Sequence, residues 1–375
     1  MTASIHFTHT PQATASHSAE KLERRSKILG WIEETQRPSL PTLEQASGLW
    51  QQDRAIHLPG LIAAAIPEHE ADLRQSARLM KAMLDGTSLT EQLEEDPYQE
   101  RFDPDFELAA SSFEDHDEQG IEKVFFDVWE DDDMIAENLW CKASWLSFDD
   151  EDASLRFRFS FGTEGYEDVS ADPERQYWSA VLTDLIFPES LAVTEHAQLH
   201  TYLQKIMEGE PYAFVERIVY FNAPNGGAQM HHDVERGHEG VVFAQMTGST
   251  FWLAISRKTL EEQVRQYLAR EDQDSSQWPA LRRAMAADAT SLGQLLDDAD
   301  CDESEALLNH TPEFLAQLVQ AGYAHCLHPG DILLLPQRDL ASCVWHSVFC
   351  LGDQTGEGLS FALRRQPHDD SDRQD

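Results

Sequence analysis

The segment Gln229-Met230-His231-His232-Asp233 places an imidazole and a carboxylate two residues apart, and a distant segment, Val344-Trp345-His346-Ser347-Val348, carries another imidazole. On an extended strand, residues two apart project from one face, so His231 and Asp233 share a side while His232 points away. Joined by His346 from a second strand, they would form a set of two imidazoles and one carboxylate. Such a set binds one face of an octahedral ion, leaves positions open for substrate and O2, and suits Fe(II). Structural roles are the alternatives: an Asx-type loop pair for His231 and Asp233, and a packed core histidine for His346. Cys343 stands three residues before His346, an offset that faces away on a strand, and buried cysteine packs as a small hydrophobe. His196 and His200 are four apart on an expected helix, but Ala197 stands where a zinc protease has its glutamate, so they read as a solvated helix face. Glu235, His238 and Glu239 follow the His-x-Asp and are expected to form a polar loop at a cavity mouth, where one could contact substrate.

These donors need strands to hold them. Short β-branched or aromatic runs, punctuated by Gly, Pro and Asn, occur at 213–221, 228–233, 240–246, 250–255, 331–335, 343–351 and 358–364. That density of short strands predicts a small antiparallel barrel or double-sheet jelly roll over 211–365. A charged helical insert, 259–320, interrupts it. Upstream, 175–207 reads as helix, and 122–128 and 155–161 read as strands, the latter with Phe157, Phe159 and Phe161 on one face. Apolar residues at helical spacing over 20–84 (Leu22, Ile28, Leu29, Trp31, Ile32; then Leu73, Ala77, Leu79, Met80, Met83, Leu84), broken at Pro38 to Pro41, predict a helical preface. The expected class is therefore α+β: a jelly-roll core behind a helical, acidic region with some strands over 21–210. Residues 1–20 and 366–375 are expected to be loose ends.

The His-x-Asp pair, the run Phe243 to Gly248, the run Pro329 to Pro336 with its Pro-Gly-Asp, and the trailing Trp345-His346 resemble, in order and spacing, the JmjC and cupin-like Fe(II)/2-oxoglutarate oxygenases. The resemblance spans about 214–364. It implies a double-stranded β-helix, Fe(II) held by His231, Asp233 and His346, 2-oxoglutarate as cosubstrate, and hydroxylation of a protein side chain, a free amino acid or a small molecule. The chain departs from the family at two positions: Thr250 stands where a lysine commonly holds the far carboxylate of 2-oxoglutarate, and Ala228 where a threonine is frequent. Arg364 could act instead as a bidentate clamp. Thr250, Arg364 and Tyr220 are thus the residues expected at the cosubstrate, and Tyr220, Gln229, Thr250 and Trp252 the expected pocket lining. Two other readings stand beside this one: an iron cupin dioxygenase that does not use 2-oxoglutarate, and a non-catalytic acidic jelly roll acting as an interaction module.

Composition narrows the partners. The 375 residues hold 68 Asp and Glu against 28 Lys and Arg, a net charge of −40. Such a surface repels phosphate backbones and anionic lipid, so nucleic acid and membrane are not expected partners. Residues 91–152 carry 23 acidic side chains and only Arg101, Lys123 and Lys142 as cations. That run is either a solvated face or a docking surface for a basic protein or peptide. The longest apolar run, Leu58 to Ile66, is far short of the ~20 residues a bilayer requires. Five scattered cysteines with no Cys-x-x-Cys argue against a disulfide framework or zinc ribbon. A cytoplasmic protein with reduced thiols is expected.

Overall fold

A computed structural model describes residues 4–10, 19–113, 119–147, 152–162, 172–235, 237–270, 276–287, 290–298 and 300–366. Strands β1 (Ser4–Thr8), β2 (Glu20–Arg24) and β3 (Lys27–Gln36) form a small antiparallel sheet in the order β1-β3-β2. This corrects two expectations: residues 4–8 are ordered strand, and the preface begins as a hairpin. Leu29 is an extra residue opposite Leu22 and Glu23, and that bulge brings Leu29 and Ile32 to the same buried face. Apolar residues three apart therefore imitated a helical period on a strand. Arg25 and Ser26, both with positive φ, close the turn.

Helix α1 (Leu43–Gln51) starts at a capping box between Thr42 and Gln45, and is followed by β4 (Ile56–Leu58), α2 (Glu70–Leu84), α3 (Leu89–Leu93) and α4 (Tyr98–Phe102). An antiparallel meander follows, made of β5 (Phe106–Phe113), β6 (Gly120–Glu130), β7 (Asp133–Trp145) and β8 (Leu155–Phe161). Then come α5 (Pro173–Ile186), α6 (Leu191–Thr194) and α7 (Ala197–Ile206), so the helix expected over 175–207 is broken after Phe187, where Pro188 removes a donor. Strands β9 (Tyr212–Asn222), β10 (His238–Gln245) and β11 (Ser249–Ser256) lead into five helices, α8 (Arg257–Leu268), α9 (Pro279–Ala287), α10 (Ser291–Leu296), α11 (Asp302–His310) and α12 (Pro312–Gln320). The chain closes with β12 (Ala324–Leu327), β13 (Ile332–Pro336), β14 (Val344–Leu351) and β15 (Gly356–Arg365).

The fold is mixed helix and sheet, dominated by a nine-stranded antiparallel sheet in the order β4-β13-β10-β15-β9-β8-β7-β6-β5. Its strands come from both sides of residue 211, so the sheet crosses the boundary expected there. The meander is not a separate preface; β8 pairs directly with β9. A second sheet, β12-β11-β14, faces the first. Between them lies an apolar layer with Val241, Phe243, Leu333 and Leu335 from the large sheet and Trp252, Ala254, Val344 and Val348 from the small one. Helices α1–α7 cover the outer face of the large sheet, where Phe157, Phe159 and Phe221 pack edge-on or tilted around Phe187. Each fully buried ring contributes roughly 1.5–3 kcal/mol. The β1–β3 sheet and α8–α12 cover the outer face of the small sheet. The result is a cavity closed by two sheets, each backed by its own apolar layer.

Candidate metal centre and its cavity

Strand β14 delivers His346 to the interior, opposite Ala254 of β11 and stacked on the Trp252 indole at 5.3 Å and 21°. The His-x-Asp segment lies along the other edge of β14. Expected as a strand over 228–233, it forms only an isolated bridge. The backbones of His231 and His346 exchange hydrogen bonds of 2.9 and 2.8 Å, and those of Ala228 and Val348 exchange bonds of 3.1 and 2.8 Å. Between these pairs the segment has one residue more than β14, which interrupts the ladder. Gly227 makes the approach possible: its φ is +128°, and a Cβ there would sit 2.2 Å from the Val348 carbonyl oxygen.

The spare backbone groups of the segment are held from elsewhere. Buried Arg24 of β2 donates to the Ala228 carbonyl at 2.6 Å and to Asn309 Oδ1 at 3.2 Å, and that oxygen also accepts from the Met230 N–H at 2.7 Å. The guanidinium lies 4.4 Å over the Phe349 ring. Burial, with Arg25 nearby, lowers its pKa to about 9.

The three donors converge. Asp233 Oδ1 is 3.4 Å from His231 Nε2 and Asp233 Oδ2 is 3.4 Å from His346 Nε2, with all three ligand atoms inside 4.8 Å of one another. His231 Nδ1 donates to the Gln229 carbonyl at 2.7 Å, so in the neutral ring the lone pair sits on Nε2, the nitrogen facing Asp233. Burial and the neighbouring His231 lower the His346 pKa to about 4, keeping that imidazole neutral. Burial opposes ionisation of Asp233, but His346 and His231 outweigh it and hold the carboxyl far below its usual range. His231 is raised because the hydrogen bond and charge of Asp233 overcome desolvation. Two nitrogen donors and one carboxylate, oriented by a backbone carbonyl and packed against an indole, fit a divalent transition-metal ion.

These residues line a cavity of about 260 Å³ between the sheets. Tyr220 and Trp252 line it, as expected. Other expected residues are placed elsewhere. Thr250 donates to Gln245 Oε1 at 2.6 Å, accepts from Trp252 Nε1 at 2.9 Å and is not among the residues lining the cavity, and Gln229 reaches Glu305 at 2.7 Å. Arg364 borders a neighbouring cleft with Phe159 and Arg217 that shares Glu216 with the cavity, because bulges on both strands flanking β15 shift the alternation near its end. Cys343 is buried against the Leu340 carbonyl. His196 caps α7, while His200 bonds Tyr212 and the Thr194 carbonyl, so neither reaches the cavity. Glu235 and His238 line the cavity; Glu239 instead pairs with Arg365 at 2.9 Å.

The sequence reading missed Arg156, Arg158 and Glu216, all on the cavity wall. The alternation that buried Phe157 and Phe159 necessarily turned Arg156 and Arg158 to the opposite face, so the signal was present. Arg158 pairs with Glu216 at 3.4 Å, and Arg156 Nε donates to Ser144 at 3.1 Å. Burial, with Asp233 nearby, pushes the Tyr220 phenol far up, so it stays a hydroxyl donor.

No family profile matches this chain, and no curated protein matches it. Similar solved structures include a 2OG-Fe(II) oxygenase family oxidoreductase from Burkholderia pseudomallei, with TM-score 0.34 and 9% identity, covering 88% of this chain and 94% of that one. The Escherichia coli ribosomal oxygenase YcfD gives 0.24 and 15%, covering 70% of this chain and 40% of that one. YcfD in complex with cobalt and succinic acid gives 0.23 and 12%, covering 67% and 41%. The chain thus spans about two-fifths of YcfD, and likeness this slight carries no fold assignment. Among the described residues no helix is long and apolar enough to cross a membrane.

Proposed function

We propose that this chain is an Fe(II)-dependent oxygenase using 2-oxoglutarate, its two facing sheets forming a double-stranded β-helix. The observation that carries the reading is the convergence of His231, Asp233 and His346 in a cavity between those sheets. The three residues would hold Fe(II), which with 2-oxoglutarate supplies the O2 chemistry that hydroxylates an unactivated C–H bond.

The chain's own part is binding and exclusion of water. Trp252 covers one face of His346, and the apolar layer of Val241, Phe243, Leu335 and Val348 keeps that end of the cavity dry. A carboxylate of the cosubstrate needs a cation, which Thr250 cannot provide and Arg364 does not bring to the cavity. Arg156 takes that role: it lies opposite Tyr220 in the β8–β9 register, so a guanidinium and a phenol hydroxyl can donate to one carboxylate. Arg158 is already paired with Glu216. The hydroxylated group belongs to a protein side chain, an amino acid or a small molecule, and the acidic surface favours a basic protein or peptide.

The test is anaerobic. Adding 2-oxoglutarate to the Fe(II)-loaded protein should give a visible charge-transfer band, lost in Asp233→Ala, and admitting air should yield succinate. A wild-type protein that gives neither band nor succinate sinks the reading. A protein that oxidises a substrate with iron and without 2-oxoglutarate would be the cupin dioxygenase instead.

A further inference from the structure

A second group of donors borders the same cavity. One oxygen each of Glu216 and Glu235 and a ring nitrogen of His238 lie within 4.8 Å of one another. His238 is only 3% exposed, and its Nε2 is buried with no hydrogen-bond partner among the described residues. An unsatisfied buried imidazole is costly to keep unless something completes it.

The backbone aims these side chains deliberately. Glu216 is the extra residue of a bulge in β9, with φ of +45°, between the Arg217–Phe361 and Val215–Ala362 pairs. His238 stands at the other bulge, where β10 shifts against β15 between Arg364 and Leu363. The two strands flank β15 on opposite sides and depart from regular pleating at the same end of it. That departure lets Glu216 face the cavity while Phe214, two residues earlier, packs on the helix side. Glu235 is exposed, so an ion has a path in from solvent.

We infer that Glu216, Glu235 and His238 form a second divalent-cation site, distinct from the His231–Asp233–His346 centre. Two carboxylate oxygens with one imidazole select a Mn(II), Fe(II) or Zn(II) class of ion over Mg(II) or Ca(II), which take all-oxygen sets. Arg158 competes for Glu216, so the site fills at the expense of that ion pair.

Mn(II) titration of the full chain by calorimetry, with metal content counted after desalting, tests this. Wild type should take two equivalents, His238→Ala one, His231→Ala one and the double variant none. Arg158→Gln should tighten the second equivalent about two- to fivefold by releasing Glu216, a gain that misfolding cannot imitate. Two equivalents retained in His238→Ala, or Mg(II) binding the second site as tightly as Mn(II), overturns the inference. Two equivalents retained in His231→Ala would instead overturn the first centre, so the two failures are separable.

Discussion

The two walls of the cavity are built differently. The small-sheet side carries the converging donors: His346 on β14, His231 and Asp233 on the segment bound to it, and Trp252 and Val348 beside them. The layer behind it is mostly apolar, with Phe251, Leu253, Ile255 and Phe349 packed on Leu260, Val264 and Phe314, and it holds the buried Arg24 guanidinium over Phe349. The large-sheet side presents Arg156, Arg158, Glu216 and Tyr220 to the cavity. The layer behind it contains ionisable groups as well: the buried carboxyls of Glu189 and Glu357, and the half-buried Arg217–Asp184 pair at 2.5 Å. A metal centre needs ligands fixed in place, which an apolar backing and backbone pairing provide. A wall that receives an anion must carry formal charge, and each charge there requires its own hydrogen-bonded support.

The largest effect is expected at the metal centre. Asp233→Ala leaves two imidazoles and no anion, and Fe(II) or Mn(II) affinity at this centre should fall more than about a hundredfold, beyond the typical loss for an outer supporting residue. Anaerobic titration checks it; unchanged affinity would mean the small-sheet wall holds no metal. Next is the anion. Arg156→Met should weaken 2-oxoglutarate by roughly tenfold to a hundredfold, the range of a lost charge-assisted hydrogen bond, while metal affinity stays put. Binding followed through the charge-transfer band measures it. If Thr250→Val costs as much as Arg156→Met, the charged wall is not where the anion sits.

How much of this the sequence disclosed follows from the range of the interactions. His231, Asp233 and His346 were expected together because the two short motifs carry their own punctuation, although the His-x-Asp segment forms a single bridge to β14 and not the strand from which its alternation was read. The strands at 122–128 and 155–161 were legible because strand alternation is local. Arg156 was not assigned to the site because nothing local shows that β8 pairs with β9 across the helices α5–α7. The Pro-Gly-Asp motif was visible while its purpose was not. Asp331 is fully buried and accepts from Arg37 at 2.6 Å, His57 at 3.2 Å and the Gly60 N–H at 2.6 Å, clasping the N-terminal region onto β13. Those partners lie in a stretch whose bulged hairpin disguised itself as helix.

Arg24 is another long-range support, and it belongs to the small-sheet side. Its guanidinium holds the carbonyl of Ala228, three residues before His231, without touching the donors themselves. Arg24→Met should therefore lower metal affinity at this centre about tenfold and leave 2-oxoglutarate affinity of the metal-saturated protein unchanged. The measurement is the same pair of titrations. A change confined to 2-oxoglutarate would place this support with the other wall.

The smallest effect expected concerns the backing of the large sheet. Glu357 of β15 is buried, and burial together with the adjacent Glu189 carboxyl holds its pKa well above the ordinary 4.5; Glu189 is raised as well, chiefly by burial. Folding thus favours the protonated acid, which hydrogen-bonds its neighbour. Its contribution is complete below 4.5, the value in the unfolded chain, and is lost as pH rises through the higher folded value. Glu357→Gln keeps the shape and the donor while removing the titration. Thermal melts between pH 5 and 8 should show the wild-type midpoint falling more steeply with pH than that of the variant. Parallel slopes would mean that the charge behind this wall is fully compensated, and that the two backings differ in composition but not in energetic behaviour.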